Sequence, residues 1–436
     1  MHRQPRHAMY QAYSIIYLIA LLFLFPFEYL KHPKELRRKW LKERFGKYSA
    51  EARKRRSAEV KTSESVIWIH AVSVGEVIAA VPLIKKIKDG YPSREIVVST
   101  VTDTGQKVAK DRLGDAARIV YVPFDLPFAI KNALRRIKPS VFIIMETELW
   151  PNTIRILNGL GVPVLLMNGR ISQKSFKGYI KLRFFMEDVL RRMDLSCMQN
   201  EVYADRIRAM GAESGKVKVT GNFKFDTKPS SHIPGWTKVL NGPVIIAGST
   251  HRTEEDLIID AYIKIKPDFP TLNLIVAPRH PERFKEVEDL LKRNNIEYLK
   301  RSEISNSDTP ALQHHADSGI AVLLDAVGEL ASVYGACDIA VMGGTFIEHG
   351  GQNPLEPAYW GKAIVCGPHM ENFPFIEEFY KSGGAVKTDV DNLYQSLKEL
   401  LSEQGKMSAM GRTAKGLYGK NSGAVEKAMQ EIERYL

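Results

Sequence analysis

From about residue 65 onward, short apolar runs alternate with helical patterns, and this alternation restricts the chain to a narrow set of folds. In the first half the runs are 66–72, 95–102, 118–123, 141–145, 162–167, 195–199 and 217–221, separated by amphipathic segments such as 76–88 and 129–137. A βαβα rhythm of this kind implies a parallel sheet with helices on both faces. Residues 228–243 break the rhythm with Lys-Pro-Ser-Ser-His-Ile-Pro-Gly-Trp and Asn-Gly-Pro, the composition of an interdomain linker. A second series then follows at 244–247, 272–277, 321–324, 338–342, 363–366 and 385–387. Residues 302–318 are polar and read as a loop. The tail from Asn392 reads as helical, and in two-domain sheets the last helix often crosses back to the first domain. The expected fold is α/β, with two doubly wound, Rossmann-like domains (62–235 and 236–436) facing a cleft behind an amino-terminal segment, 1–61.

That segment holds nearly all the excess charge. The whole chain is +12, but residues 1–61 carry 15 Lys and Arg against 5 Asp and Glu, while the other 375 residues carry 47 against 45. A nucleic-acid partner would need basic residues spread over the folded domains, so none is expected. The charge instead flanks an apolar stretch, 10–30, whose centre, 15–27, has no charged residue. With its flanking aromatics it is about long enough to cross a bilayer or embed deeply in one. No small-residue cleavage site follows it, which argues against a cleaved signal peptide. The basic side is carboxyl-terminal, so the positive-inside rule puts residues 31–436 in the cytoplasm. The run Arg53-Lys-Arg-Arg56 suits contact with anionic lipid head groups, or a solvated linker. Three scattered cysteines (Cys197, Cys337, Cys366) form no zinc or disulfide pattern.

Several residues at strand ends are candidates for chemistry. The run Ser140-Val-Phe-Ile-Ile-Met-Glu-Thr-Glu-Leu-Trp-Pro151 leads an apolar strand into Glu146 and Glu148, and Ser73-Val-Gly-Glu76 follows an earlier strand in the same way. Acids in these positions sit where α/β folds hold ligands, although they also suit capping of the next helix. Lys224, in Gly221-Asn-Phe-Lys-Phe-Asp226, closes the first domain near the cleft or lies on the surface. In the second half, Arg279 and His280 end a strand where a guanidinium can fork a phosphate. Gly343-Gly344 lead to Asn353 as a helix cap, Pro354 as first helical residue, and Glu356, placed for a ribose or for the helix dipole. Val327-Gly-Glu329 opens a further helix. The stretch 170–192 mixes seven basic residues with four aromatics, as a lipid-facing helix or one packed on its own sheet. Asp389-Val-Asp391 reads as capping, and no metal is assigned.

Taken in order, Ser73-Val-Gly-Glu76, Met145-Glu-Thr-Glu-Leu-Trp-Pro-Asn152, Gly221-Asn-Phe-Lys-Phe-Asp226, Pro278-Arg-His-Pro-Glu-Arg-Phe284 and Gly350-Gly-Gln-Asn-Pro-Leu-Glu356 resemble the Kdo transferases of lipopolysaccharide synthesis. The resemblance runs over nearly the whole chain, including the amino-terminal anchor. It implies a GT-B fold and transfer of 3-deoxy-D-manno-oct-2-ulosonic acid (Kdo) from CMP-Kdo to a lipid A precursor. It also implies work at the cytoplasmic face of the cell inner membrane, inversion at the anomeric centre, and no metal or other cofactor. By position it implies Glu76 as general base, with Glu146 and Lys224 stabilising the transition state. CMP contacts would fall on Pro278, Arg279, Val327, Gly328, Glu329, Asn353, Pro354, Leu355 and Glu356. Another GT-B glycosyltransferase, a nucleotide-sugar epimerase, and a membrane tether without activity are the alternatives. An epimerase needs no lipid acceptor, which the anchor opposes, and a tether needs no strand-end acids.

Overall fold

The computed structural model describes residues 4–49, 65–229, 232–304 and 318–436. The basic run 53–56, and 305–317 of the polar loop, lie outside the described residues. Contacts divide the chain into two compact units, Met1–Thr227 with Ser422–Leu436, and Lys228–Asn421.

The sheet of unit 1 is built from β1 (Val66–His70), β2 (Glu95–Thr100), β3 (Arg118–Tyr121), β4 (Pro139–Met145), β5 (Val164–Gly169), β6 (Leu195–Met198) and β7 (Val217–Val219). All pair in parallel, in the order β3-β2-β1-β4-β5-β6-β7. Alternate side chains of β1 feed two different cores: Val66 and Trp68 join one cluster, Ile67 and Ile69 the other. Both faces are therefore dry, which is why these strands read as unbroken apolar runs rather than alternating ones. Each such side chain stabilises the unit by roughly 1.5–3 kcal/mol.

In unit 2 the strands are β8 (Val244–Thr250), β9 (Asn273–Pro278), β10 (Tyr298–Lys300), β11 (Ala321–Leu323), β12 (Ile339–Met342), β13 (Ala363–Cys366) and β14 (Val386–Lys387). They form a second parallel sheet in the order β10-β11-β9-β8-β12-β13-β14. The order matters for function. In unit 1 the chain moves outward from β1 through β2 to β3, then returns to lay β4 on the other side of β1. Unit 2 reverses likewise around β8, with β9 on one side and β12 on the other, although there β11 is laid between β9 and the edge strand β10. Each reversal opens a crevice at the carboxyl ends of the two central strands, where ligands of open α/β sheets bind.

The division differs from the expected borders in two places. The first unit ends at Thr227, ahead of residue 235, because Gly221–Asp226 still belongs to its edge. The tail 422–436 leaves the second block: the carboxylate of Asp226 accepts from the backbone N–H groups of Gly423 and Val425, the latter at 2.6 Å. Ala424, Val425, Ala428, Met429 and Ile432 then bury themselves in unit 1's core.

Nor does the amino-terminal segment stand apart from unit 1. Helix Gln4–Lys31 contains a stretch, Ala8–Lys31, long and apolar enough to cross a membrane. One stripe of it packs on unit 1 along its length. Tyr10 donates to Asp188 at 2.9 Å and meets Phe185, Tyr17 lies edge-on to Trp150, and Phe25 and Tyr29 meet Trp40. The opposite side is bare: Ile15, Ile16, Ile19, Leu22, Phe23, Phe27 and Leu30 are exposed. The following helix, Lys34–Arg44, docks through two buried charges, Glu43 accepting from Tyr121 N–H and Arg44 donating to the Val122 carbonyl. The basic, aromatic stretch after Arg170 forms two helices, Gln173–Lys181 and Arg183–Arg191, rather than one. Phe185 packs inward and meets Tyr10 and Tyr13 of the amino-terminal helix, while Leu182 and Phe184 stay exposed.

Candidate active site

Three strand ends of unit 1 bring acids and bases together at the β1/β4 reversal. After β1, Ser73 caps helix Val74–Gly90, its hydroxyl oxygen accepting from Glu76 N–H at 3.4 Å, while the Glu76 carboxylate reaches back to the Val72 N–H at 2.8 Å. This is a variant of the capping box, with the carboxylate reaching the N–H one residue before the cap, so the capping reading of Glu76 is correct locally. It leaves the carboxyl half-buried and under electrostatic pressure. Burial pushes Glu76 up to about 8, with the carboxylates of Glu146 and Glu148 adding to the rise and the Val72 N–H working against it. A carboxyl perturbed this far in a ligand crevice is a candidate for proton transfer.

Glu146 follows β4 directly, in the left-handed conformation (φ 58°), unusual outside glycine, and is buried. Its main chain is held on both sides, its N–H donating to Met167 O and its carbonyl accepting from Arg170 N–H. Lys224 enters the same field from the turn Phe223–Asp226 beyond β7. Burial pulls its ammonium below the usual lysine value, Glu146 pushes it back up, Arg170 lowers it, and Glu76 raises it. Glu148 is also raised, by burial alone.

Two residues absent from the sequence reading hold this arrangement. Asn168, fully buried at the end of β5 with φ 54°, accepts the Phe223 N–H at 3.1 Å and the Gln199 amide, and its own amide lies 3.5 Å from Glu146. It joins β4, β5, β6 and the Lys224 turn. Its one legible signal is residue type, since asparagine tolerates left-handed backbone better than most. His70, fully buried in β1, contacts Ser99 through Nδ1 and accepts from Trp150 at 3.3 Å through Nε2. Burial drives it down to about 4, so it is a neutral tie between the β1 and β4 ends.

The second group of candidates lies at the carboxyl edge of unit 2. Pro278 ends β9 buried, and Arg279, exposed, donates its N–H to Thr250 O at 3.0 Å. Asn353 accepts from Leu355 N–H, and the helix there runs Leu355–Trp360, so Pro354 stands at the cap and the helix starts one residue later than expected. Glu356 lies in its first turn. Burial raises its carboxyl to about 7, against the pull of Asn353 and Arg279. Val327 is exposed and Gly328 takes φ +93°, which an L side chain would resist. The carboxylate of Glu329 is already engaged, by Nε and Nη2 of Arg301 at 2.8 and 3.1 Å and by Trp236. That carboxylate therefore braces the loop, which leaves the main chain of 327–329 as the part to consider for a ligand. Asp389 accepts from Asn392 N–H and side chain just before helix Leu393–Ser402, in keeping with the capping role.

Residues 39–227 match the family described as 3-deoxy-D-manno-octulosonic-acid transferase (kdotransferase). The 3-deoxy-D-manno-octulosonic acid transferase of Haemophilus influenzae is 33% identical over 381 residues, 85% of this chain and 87% of that protein. The enzyme of the same description from Bordetella pertussis is 29% identical over 85% of this chain and 87% of its own length. Among solved structures, a UDP-N-acetylglucosamine 2-epimerase superposes over 86% of this chain and 97% of its own with a TM-score of 0.55 at 14% identity, a likeness of fold alone and of the GT-B kind. With strand-end acids at one sheet reversal, a glycine-rich edge at the other, and this identity over most of its length, the chain belongs to the Kdo transferase family of lipopolysaccharide biosynthesis.

Proposed function

We propose that the chain moves Kdo from CMP-Kdo onto the lipid A precursor lipid IVA by a single inverting displacement without a metal, with Glu76 as general base. The observation that carries this reading is a half-buried carboxyl at the β1/β4 reversal, raised to about 8 and faced by Glu146, Glu148 and Lys224. An acceptor hydroxyl attacks the anomeric carbon of Kdo from the face opposite CMP. Its proton passes to the Glu76 carboxylate, and the electron pair of the breaking bond leaves on the CMP phosphate. Attack from the opposite face inverts the centre. A base whose pKa lies near the working pH is well matched to this transfer. Lys224 offsets developing negative charge, and the Glu146 carboxylate faces the positive character of the anomeric centre.

The donor nucleotide is assigned to unit 2. Arg279 takes the phosphate, Glu356 the ribose hydroxyls, and the main chain of Val327, Gly328 and Glu329 the base. Pro278, Asn353, Pro354 and Leu355 shape the floor. The bare side of the amino-terminal helix is assigned to the lipid. A helix with one stripe docked on its own unit and the other apolar suits deep embedding along the surface of the membrane. The basic residues around it favour the cytoplasmic face of the inner membrane, where the acceptor lipid would be met.

The test is Glu76→Ala in the detergent-solubilised protein. CMP affinity should stay within about twofold, while kcat for transfer falls by at least about a hundredfold. Equal loss of both would count against the base role.

A further inference from the structure

The β8/β12 reversal of unit 2 carries a set of imidazoles that none of the assignments above uses. His251 follows β8 directly, His349 lies on the loop after β12, and His280 lies beyond β9. The ring of His251 sits over that of His349, with centroids 4.1 Å apart and planes 39° from parallel, and meets His280 edge-on at 5.6 Å. The Gln352 amide lies 3.1 Å from His251 Nε2. Beneath them is Gly344, at φ +66°. A Cβ there would come within 3.1 Å of His349 Cδ2 and 3.4 Å of His251 Cδ2, so a side chain would crowd the His349 ring as well as strain the left-handed backbone.

This set stands on a rigid base. Glu254, fully buried, accepts four backbone N–H groups: His251 at 2.9 Å, Gly344 at 2.7 Å, Thr345 at 2.9 Å and Phe346 at 3.0 Å. One carboxylate thus clamps the loop after β8 to the loop after β12. Two residues flanking His251, Ser249 and Thr253, hold left-handed backbone at φ 56° and 78°. Such strain persists only where the surroundings impose it.

The charges around His251 are lopsided. Burial drives it down to about 4, and His349, His280, Arg279 and Arg283, which face it, add to the fall. Three neighbouring carboxylates are spent elsewhere, and a fourth, Glu282, lies beside His280 itself. Glu254 holds the four N–H groups, Glu255 binds Arg283 and Thr250, Glu286 binds Arg252 and Arg283, and Glu282 lies 3.8 Å from His280. Among the described residues no three His, Cys, Asp or Glu side chains converge as metal ligands, and these rings stack instead. A concentration of donors and cations at a ligand crevice, with the anions already paired, matches an anionic oxygen.

We propose that His251, with His349 and His280 around it, binds an anionic oxygen of the donor sugar nucleotide, and so extends the donor site from the nucleotide toward the transferred sugar. The inference rests on the donor reading above. CMP-Kdo carries two such groups, the CMP phosphate and the sugar carboxylate, and the experiment separates them.

Titration calorimetry on the full-length, detergent-solubilised protein would compare CMP with cytidine, and steady-state transfer would give KM for CMP-Kdo. The proteins would be wild type, His251→Gln and His349→Ala, the last at an exposed position where folding is not at risk. A roughly tenfold loss of CMP affinity with cytidine binding unchanged would assign the phosphate. Unchanged CMP affinity with a roughly tenfold rise in KM for CMP-Kdo would assign the carboxylate. An anion beside His251 also raises its pKa. Binding of CMP in the first case, or of CMP-Kdo in the second, should then take up a fraction of a proton near pH 6, seen as heats that differ between buffers of different ionisation enthalpy, and His251→Gln should abolish this. Changes below about twofold in every quantity, in a wild type that binds CMP and transfers Kdo, would overturn the histidine inference alone. A wild type that binds no CMP would take the donor reading and this inference down together.

Discussion

Replacing Glu76 by glutamine removes a charge that the fold resists holding. The carboxyl rises from the usual 4.5 to about 8, by burial first and then by Glu146 and Glu148. A group with its pKa raised on folding holds its proton more tightly in the folded chain. Its contribution is therefore most favourable below pH 4.5 and is lost as the pH climbs toward 8. At about 1.4 kcal/mol per pH unit, ionising it in the fold costs up to roughly 5 kcal/mol over that window. Partial exposure of the side chain screens this to on the order of 3 kcal/mol. Glutamine has the same shape and can still accept the Val72 N–H, now 2.8 Å from the carboxylate. The stability of Glu76→Gln relative to wild type should thus grow by on the order of 3 kcal/mol between pH 5 and pH 8.5, while transfer is lost. Chemical denaturation followed by tryptophan fluorescence at pH 5.5, 7 and 8.5 measures it, and the slope against pH is the quantity of interest. A difference that stays constant, or shrinks, as pH rises would refute the argument that this carboxylate is desolvated and repelled.

Three further outcomes are expected. The rate parameter kcat/KM should climb with pH and level off near about 8, where Glu76 loses its proton; a profile flat from pH 6 to 9 would contradict a base of this pKa. Asn168→Ala removes the acceptor for Phe223 N–H and puts alanine in left-handed backbone, so it should destabilise unit 1 by roughly 2–4 kcal/mol and lower kcat more than KM, as read by denaturation and steady-state kinetics. The double substitution Leu22→Glu, Phe23→Glu, on the bare side of the amino-terminal helix, should release the protein from anionic vesicles in flotation while leaving Tm unchanged; retention on the vesicles would mean that this surface does not hold the lipid.

Much of the fold was legible because both faces of each sheet are buried. Runs such as 141–145 and 363–366 then have no polar alternation to obscure them, and they recur as β4 and β13. The strand Tyr298–Lys300 was missed for the converse reason: it lies at the sheet edge with every residue only partly buried, so it carries no apolar run. Strand order was not legible at all, since crossovers are set by packing between elements far apart in sequence. That order is what turns Glu76 and Glu146 from two separate strand-end acids into neighbours at one reversal. Glu76 also shows why the capping and ligand readings could not be separated locally, because it does cap, and its raised pKa comes from burial in the folded unit, with Glu146 and Glu148, some 70 positions away, adding to it. Glu329 illustrates the opposite case. Its helix-start position suggested a ligand contact, but Arg301, 28 residues earlier, occupies its carboxylate. The docking of the amino-terminal helix was hidden for a similar reason, as its apolar residues read alike whether they face lipid or Trp40.

The central claim, that this chain transfers Kdo to a lipid A precursor with Glu76 as the base, is tested most directly by product mass. Detergent-solubilised wild type and Glu76→Gln would be incubated with CMP-Kdo and tetraacylated lipid A precursor, and the lipid analysed by mass spectrometry. The account predicts lipid heavier by one or more Kdo units with wild type and none with the folded variant. Unmodified lipid from a folded wild type supplied with intact donor, or product formed equally well by Glu76→Gln, would contradict it.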